Sequence, residues 1–176
     1  KAGWKFKASG GQHALSFTAY GPYSLPSATI SCRQDPSAAP SAGYFYIWSS
    51  AGWQLINYTS LGYWQFDGCT GGTGTYSDNA PVVIPVSTTI AEGSSGATLP
   101  QDTIYVASTA AFPVTGKLLV YTSLGFEEVT YTGKDAGSFT GCTGGTGTLT
   151  TGNFVMRQKP QWHPQARAGQ TAGRCW

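Results

Sequence analysis

The sequence predicts an all-β protein: two tandem small modules, each a five-stranded barrel or curled sheet, with an extended arm at either end. Three observations predict it. The octapeptide GCTGGTGT stands at 68–75 and again at 141–148. Aromatic and β-branched residues come in short runs cut by Gly and Pro, the pattern of short strands and turns. No stretch of ten or more residues carries an amphipathic helical period.

The octapeptide is the centre of a longer match. A shift of 73 positions places Pro40 on Pro113, Gly43 on Gly116 and Gly52 on Gly125. The same shift places Tyr58-Thr59 on Tyr131-Thr132, Phe66 on Phe139 and Val82 on Val155. Upstream, TISC (29–32) matches TIYV (103–106) once a residue is inserted in the first copy. A repeat of this length reads as a duplicated supersecondary module. The expected organisation is an N-terminal arm (1–28), an aromatic-rich first module (29–84), a linker (85–101), a second module (102–157) and a basic C-terminal arm (158–176).

The second copy reads element by element. TIYVA (103–107) is a strand, and FPVTG (112–116) is a turn in which Pro fixes φ and Gly permits positive φ. KLLVYT (117–122) and EEVTYT (127–132) are strands joined through SLGF as a hairpin. GKDAG turns the chain again, SFTG is a short strand and NFVMR (153–157) is the last one. Val129 and Tyr131 alternate with Glu128 and Thr130, so one face of their strand is buried. The first copy follows the same plan with heavier side chains: YFYIW at 44–48, Trp53, Tyr63 and Trp64.

Within the octapeptide, four glycines in eight residues suit tight bends and close backbone approach. A phosphate cradle is excluded on detail, because a P-loop needs Gly-Lys-Ser/Thr opening a helix, and Thr75-Tyr76 and Thr148-Leu149 follow here. Gly68, Cys69, Gly71, Gly72, Gly74 and Gly141, Cys142, Gly144, Gly145, Gly147 therefore read as structural loops. Cys69 and Cys142 read as small buried residues in equivalent places. Cys32 and Cys175 complete the four cysteines; no CxxC pair exists, and neither zinc nor a disulfide framework is expected.

Catalysis finds no support. His13 and His163 lie outside the repeats, and no metal-ligand or nucleophile motif is present. Asp67 and Asp78 flank the first loop, but their counterparts are Thr140 and Thr151. The expectation is a non-enzyme with no cofactor and no metal. No apolar run has membrane-spanning length, and no N-terminal stretch reads as a signal peptide.

Charge is layered along the chain. Residues 1–34 hold four cations and no acid, residues 35–135 hold all eight acids against two lysines, and residues 136–176 hold four cations and no acid. Basic ends meeting an acidic middle suit assembly with neighbouring subunits. The basic residues are too few for nucleic acid. Candidate partner-binding residues are Arg157, Lys159, Trp162, Arg167, Arg174 and Trp176 at one end, and Trp4, Lys5 and Lys7 at the other. Trp48, Trp53 and Trp64 are candidates for binding a glycan, as aromatic faces beside polar side chains.

TIYVASTAAFPVTGKLLVY…EEVTYTGKDAGSFTGCTGGTGTLTTGNFV resembles a β module of virion structural proteins from tailed bacteriophages, especially those infecting actinobacteria. The match runs through Thr103 to Val155 nearly throughout. The first copy keeps the glycine loop but has RQDPSAAPS and INYTSL where the pattern has VASTAGFP and VTYTGK. The resemblance covers about 60% of the chain. It implies a building block of the virion, assembled in the host cytoplasm, whose partners are other virion proteins and copies of itself. The expected place is the tail or its fibres; the alternative is a minor capsid or decoration protein on the head. A glycan-binding module for host recognition is the rival of another class.

Overall fold

The computed structural model describes residues 13–158, and over them the chain is all-β. The described residues divide into two compact units, one built from Phe17–Val82 and the other from 83–158 together with 13–16.

The first half of the chain carries β1 (His13–Thr18), β2 (Tyr23–Leu25), β3 (Thr29–Ser31), β4 (Gly43–Ser49), β5 (Gly52–Tyr58), β6 (Ser60–Gly62), β7 (Gln65–Asp67), β8 (Gly74–Tyr76) and β9 (Pro81–Pro85). They form a four-stranded sheet ordered β1-β9-β4-β5, a three-stranded sheet β3-β7-β6 and a pair β2-β8. The second half carries β10 (Ser87–Thr89), β11 (Thr103–Tyr105), β12 (Gly116–Thr122), β13 (Gly125–Tyr131), β14 (Gly133–Asp135), β15 (Ser138–Thr140) and β16 (Phe154–Arg157). Their sheets are β10-β16-β12-β13 and β11-β15-β14.

The long hairpin of each unit closes through two residues, Ser50-Ala51 and Ser123-Leu124, followed by a glycine at positive φ (Gly52 at 86°, Gly125 at 102°). A hydroxyl clips each turn. Ser49 Oγ donates to the Gly52 carbonyl at 3.3 Å and accepts from the Ala51 N–H at 3.1 Å. Thr122 Oγ1 does the same with Gly125 and Leu124, at 3.2 and 3.1 Å.

Each core gathers on one face of its hairpin. In the first unit Phe66 is the hub, 4.6 Å from Phe45, 4.9 Å from Tyr58 and 5.9 Å from Phe17 between ring centroids. In the second unit Phe139 has that role, 4.7 Å from Tyr131 and 5.1 Å from Phe112, within a cluster that includes Leu118, Val120, Val129 and Val155. Burying one such ring stabilises by about 1.5–3 kcal/mol, so each hub anchors its unit. Val129 and Tyr131 are buried while Glu128 is exposed, as the alternation requires.

Four expectations are corrected. Among the described residues no sheet closes into a barrel, and each repeat is divided among several small antiparallel sheets. The stretch 85–101 is not a free linker. It holds β10, paired with β16 in the register Thr88↔Val155, and it buries Val86, Ile90 and Leu99. Three apolar side chains suffice to seat a segment that reads as Gly-Ser-rich. Residues 13–28 are not an arm either: they form β1 and β2 and bury Phe17, Ala19 and Leu25. Finally, Gly133–Asp135 in GKDAG is a strand, and only Ala136-Gly137 turns.

Candidate functional site

The repeat singles out the two glycine loops. Gly68, Gly71, Gly72 and Gly74 have φ of 62°, 93°, 75° and 82°; Gly141, Gly144, Gly145 and Gly147 have 59°, 87°, 74° and 85°. All eight lie in the left-handed region that glycine enters at least cost. Gly68 also packs on Thr59, and Gly141 on Thr132, so closely that an added Cβ would lie 2.0 and 2.1 Å from the threonine Oγ1. Each loop is tied to the outer strand of its hairpin. Asn57 and Thr70 exchange two backbone bonds at 3.0 and 2.9 Å; Thr130 and Thr143 exchange theirs at 2.9 and 2.8 Å. The Gln54 side chain accepts from the Thr73 N–H at 3.0 Å, and Glu127 accepts from the Thr146 N–H at 3.2 Å. The amides of Thr70, Thr73, Thr143 and Thr146 are thus turned to the hairpins.

The cysteines at these loops are buried. Burial pushes the thiols of Cys32 and Cys69 up to about 12 and that of Cys142 up to about 11. All three are free thiols, and at neutral pH they are protonated and weakly nucleophilic. Asp67 accepts from Thr29 Oγ1 at 3.2 Å and Gln65 Nε2 at 2.7 Å. Among the described residues, no group of three or more His, Cys, Asp or Glu is placed to hold a metal.

The structure separates the three candidate tryptophans. Trp48 and Trp53 oppose each other across β4 and β5, half-buried, with ring centroids 5.4 Å apart and edge to face. Tyr121 and Phe126 make the same pair in the second unit at 5.0 Å. Trp64 sits elsewhere, on the two-residue turn between β6 and β7, beside Tyr63 at 6.1 Å. Tyr63 is 90% exposed and Trp64 42%. Trp64 has φ of 58°, a left-handed conformation costing a bulky residue about 1–2 kcal/mol.

The segments beside that turn carry a polar cluster drawn from distant parts of the chain. The Cys32 N–H donates to the Trp64 carbonyl at 2.7 Å, and Ala19 pairs with Cys32 in an isolated bridge. Ala19 and Cys32 point inward, so their successors Tyr20 and Arg33 come to the surface. The Arg33 guanidinium lies 4.9 Å from the centre of the Tyr20 ring. It also donates to both Asp78 oxygens at 2.6 Å. The Asp78 carboxyl is held below its ordinary value by this bond, and next by the Gly21 N–H at 3.2 Å. No local motif signals a contact between residues 45 positions apart.

Of the candidate partner-binding residues, Arg157 lies on β16 and is half-buried. Lys159, Trp162, Arg167, Arg174, Trp176, Trp4, Lys5 and Lys7 lie outside the described residues. No family model, curated protein or solved structure matches the chain.

Proposed function

We propose that this chain is a non-enzymatic structural component of a tailed-bacteriophage particle. It is a minor protein of the tail or its fibres, with β modules that arose by duplication and terminal arms that join it to neighbouring subunits. The observation that carries this reading is the repeated use of polar groups as internal fastenings. The Tyr58 hydroxyl donates to the Pro40 carbonyl at 2.8 Å, and the Tyr131 hydroxyl to that of Pro113 at 2.9 Å. The loop ties described above follow the same offset. The matching polar groups hold the fold, Gln54 with Thr73 and Glu127 with Thr146 as well as the two tyrosines. The resemblance of Thr103–Val155 to virion modules adds the particle, and the charge layering adds assembly.

The test is to locate the protein on purified particles with a gold-labelled antibody. Label on the tail supports the reading as stated. Label on the shell moves the protein to the head, as a decoration or minor capsid component. No label, with the epitope shown to be accessible, overturns the virion reading. In parallel, removing residues 159–176 is expected to leave both modules folded and to abolish incorporation. Normal incorporation of that truncation would exclude the C-terminal segment as the anchor.

A further inference from the structure

The turn between β6 and β7 presents two large rings that the fold does not require. At the same point of the second unit stand Ala136 and Gly137, on the corresponding turn between β14 and β15. The backbone tie survives the change: Gly137 accepts from the Val106 N–H at 2.9 Å as Trp64 accepts from Cys32. Neither ring is in the core, since Tyr63 is almost wholly exposed and Trp64 is exposed over two-fifths of its surface. Trp64 is left-handed and Gly137 is not, so the first unit holds a bulky ring in a backbone conformation that the second unit's turn avoids. Strain of this kind collects at functional positions.

The occupant follows from size and charge. A specific protein interface needs about 800 Å² from each partner, far more than a two-residue turn supplies. A polyanion needs free cations, yet residues 17–82 contain Arg33 alone against Asp35, Asp67 and Asp78, and Asp78 already engages Arg33. A neutral sugar needs neither. Its C–H face lies against an aromatic ring, and its hydroxyls need a few fixed planar donors and acceptors. Arg33 directly follows the residue that holds the Trp64 carbonyl, and its contacts with Tyr20 and Asp78 fix such a planar set. We propose that the Tyr63–Trp64 turn, with Tyr20, Arg33 and Asp78 on the adjoining segments, binds a neutral oligosaccharide. This stands on the turn's geometry and does not depend on where the protein sits on a particle.

The experiment uses the full chain on an array of immobilised neutral oligosaccharides of glucose, galactose, mannose and N-acetylhexosamines. Trp64→Gly and Tyr63→Ala are the variants, and sedimentation and thermal unfolding are run alongside. The expected result is binding of at least one neutral sugar, weakened about tenfold or more by each variant at unchanged or raised Tm. Trp64→Gly reproduces the residue of the second unit, so it is expected to fold. Binding of no sugar on the array overturns the proposal, and so does binding that both variants leave intact. Self-association that Trp64→Gly abolishes would also overturn it, making the turn a protein contact.

Discussion

Tyr131 reaches back 18 positions to donate its hydroxyl to the Pro113 carbonyl at 2.9 Å, fastening the turn before β12 to the end of β13. The ring is 1% exposed, and it packs on Phe139 while its hydroxyl meets the turn. Tyr58 and Pro40 are related in the same way. One side chain thus fills the core and closes the entrance to the hairpin.

Tyr131→Phe keeps the ring and removes the bond. We expect a loss of about 1 kcal/mol in denaturant unfolding. Tyr46 is the control. Its hydroxyl is buried with no hydrogen-bond partner among the described residues, and burial raises its pKa. Tyr46→Phe is therefore expected to be neutral, or stabilising by about 1 kcal/mol. Equal losses in the two variants would show that the tie to Pro113 contributes nothing.

Two glycines separate backbone strain from steric conflict. Gly152 has φ of 85° with open space around an added Cβ; Gly141 has φ of 59° with Thr132 in the way. Gly152→Ala is expected to cost about 1–2 kcal/mol, the left-handed penalty alone. Gly141→Ala adds overpacking, for a total of about 3 kcal/mol or more. Chemical denaturation of both variants measures the difference.

The buried thiols predict alkaline sensitivity. Their folded pKa values, about 11 to 12, lie above the ordinary value of 9.0. The thiol contribution is complete below the ordinary value and is lost as pH rises toward the folded values. Tyr58 and Tyr76, pushed by burial to about 12, act in the same direction higher on the scale. Stability should decline from about pH 9 upward. In a Cys175→Ser background at pH 8, iodoacetamide should leave Cys32, Cys69 and Cys142 unmodified until denaturant is added.

Arg33 and Asp78 predict the acid side. The Asp78 carboxyl is depressed by its bond to Arg33, so its contribution is present above the ordinary carboxylate value and lost as pH falls through the depressed one. Asp78→Asn should be less stable than the parent between pH 5 and 8, and the two stability curves should converge toward pH 2. Both side chains are more than a third exposed, so added salt should narrow the gap.

Much of this architecture was legible in the sequence, for reasons that differ by element. The β12–β13 hairpin was legible because period-two burial leaves a mark at Val129 and Tyr131. The glycine loops were legible because left-handed backbone selects one residue type. The seating of 85–101 was hidden, since Val86, Ile90 and Leu99 are too widely spaced among polar residues to make a period. The Arg33–Asp78–Tyr20 cluster was hidden because strand pairing, not local spacing, brings those residues together. The three tryptophans looked like one set because composition carries no register; pairing put two on a hairpin end and the third on another turn.

The likeness of the two hairpins also bears on how the newly made chain sorts itself. The two loops share one sequence, and tandem units of this sort are prone to exchange elements. Lys117 and Glu128 pair at 2.5 Å on the surface of the second hairpin. The corresponding positions of the first are Tyr44 and Leu55, both half-buried. A second hairpin exchanged into the first unit would bring a lysine and a glutamate to positions that are half-buried there. Divergence at those positions, against constancy in the loops, gives the chain a way to tell its own halves apart.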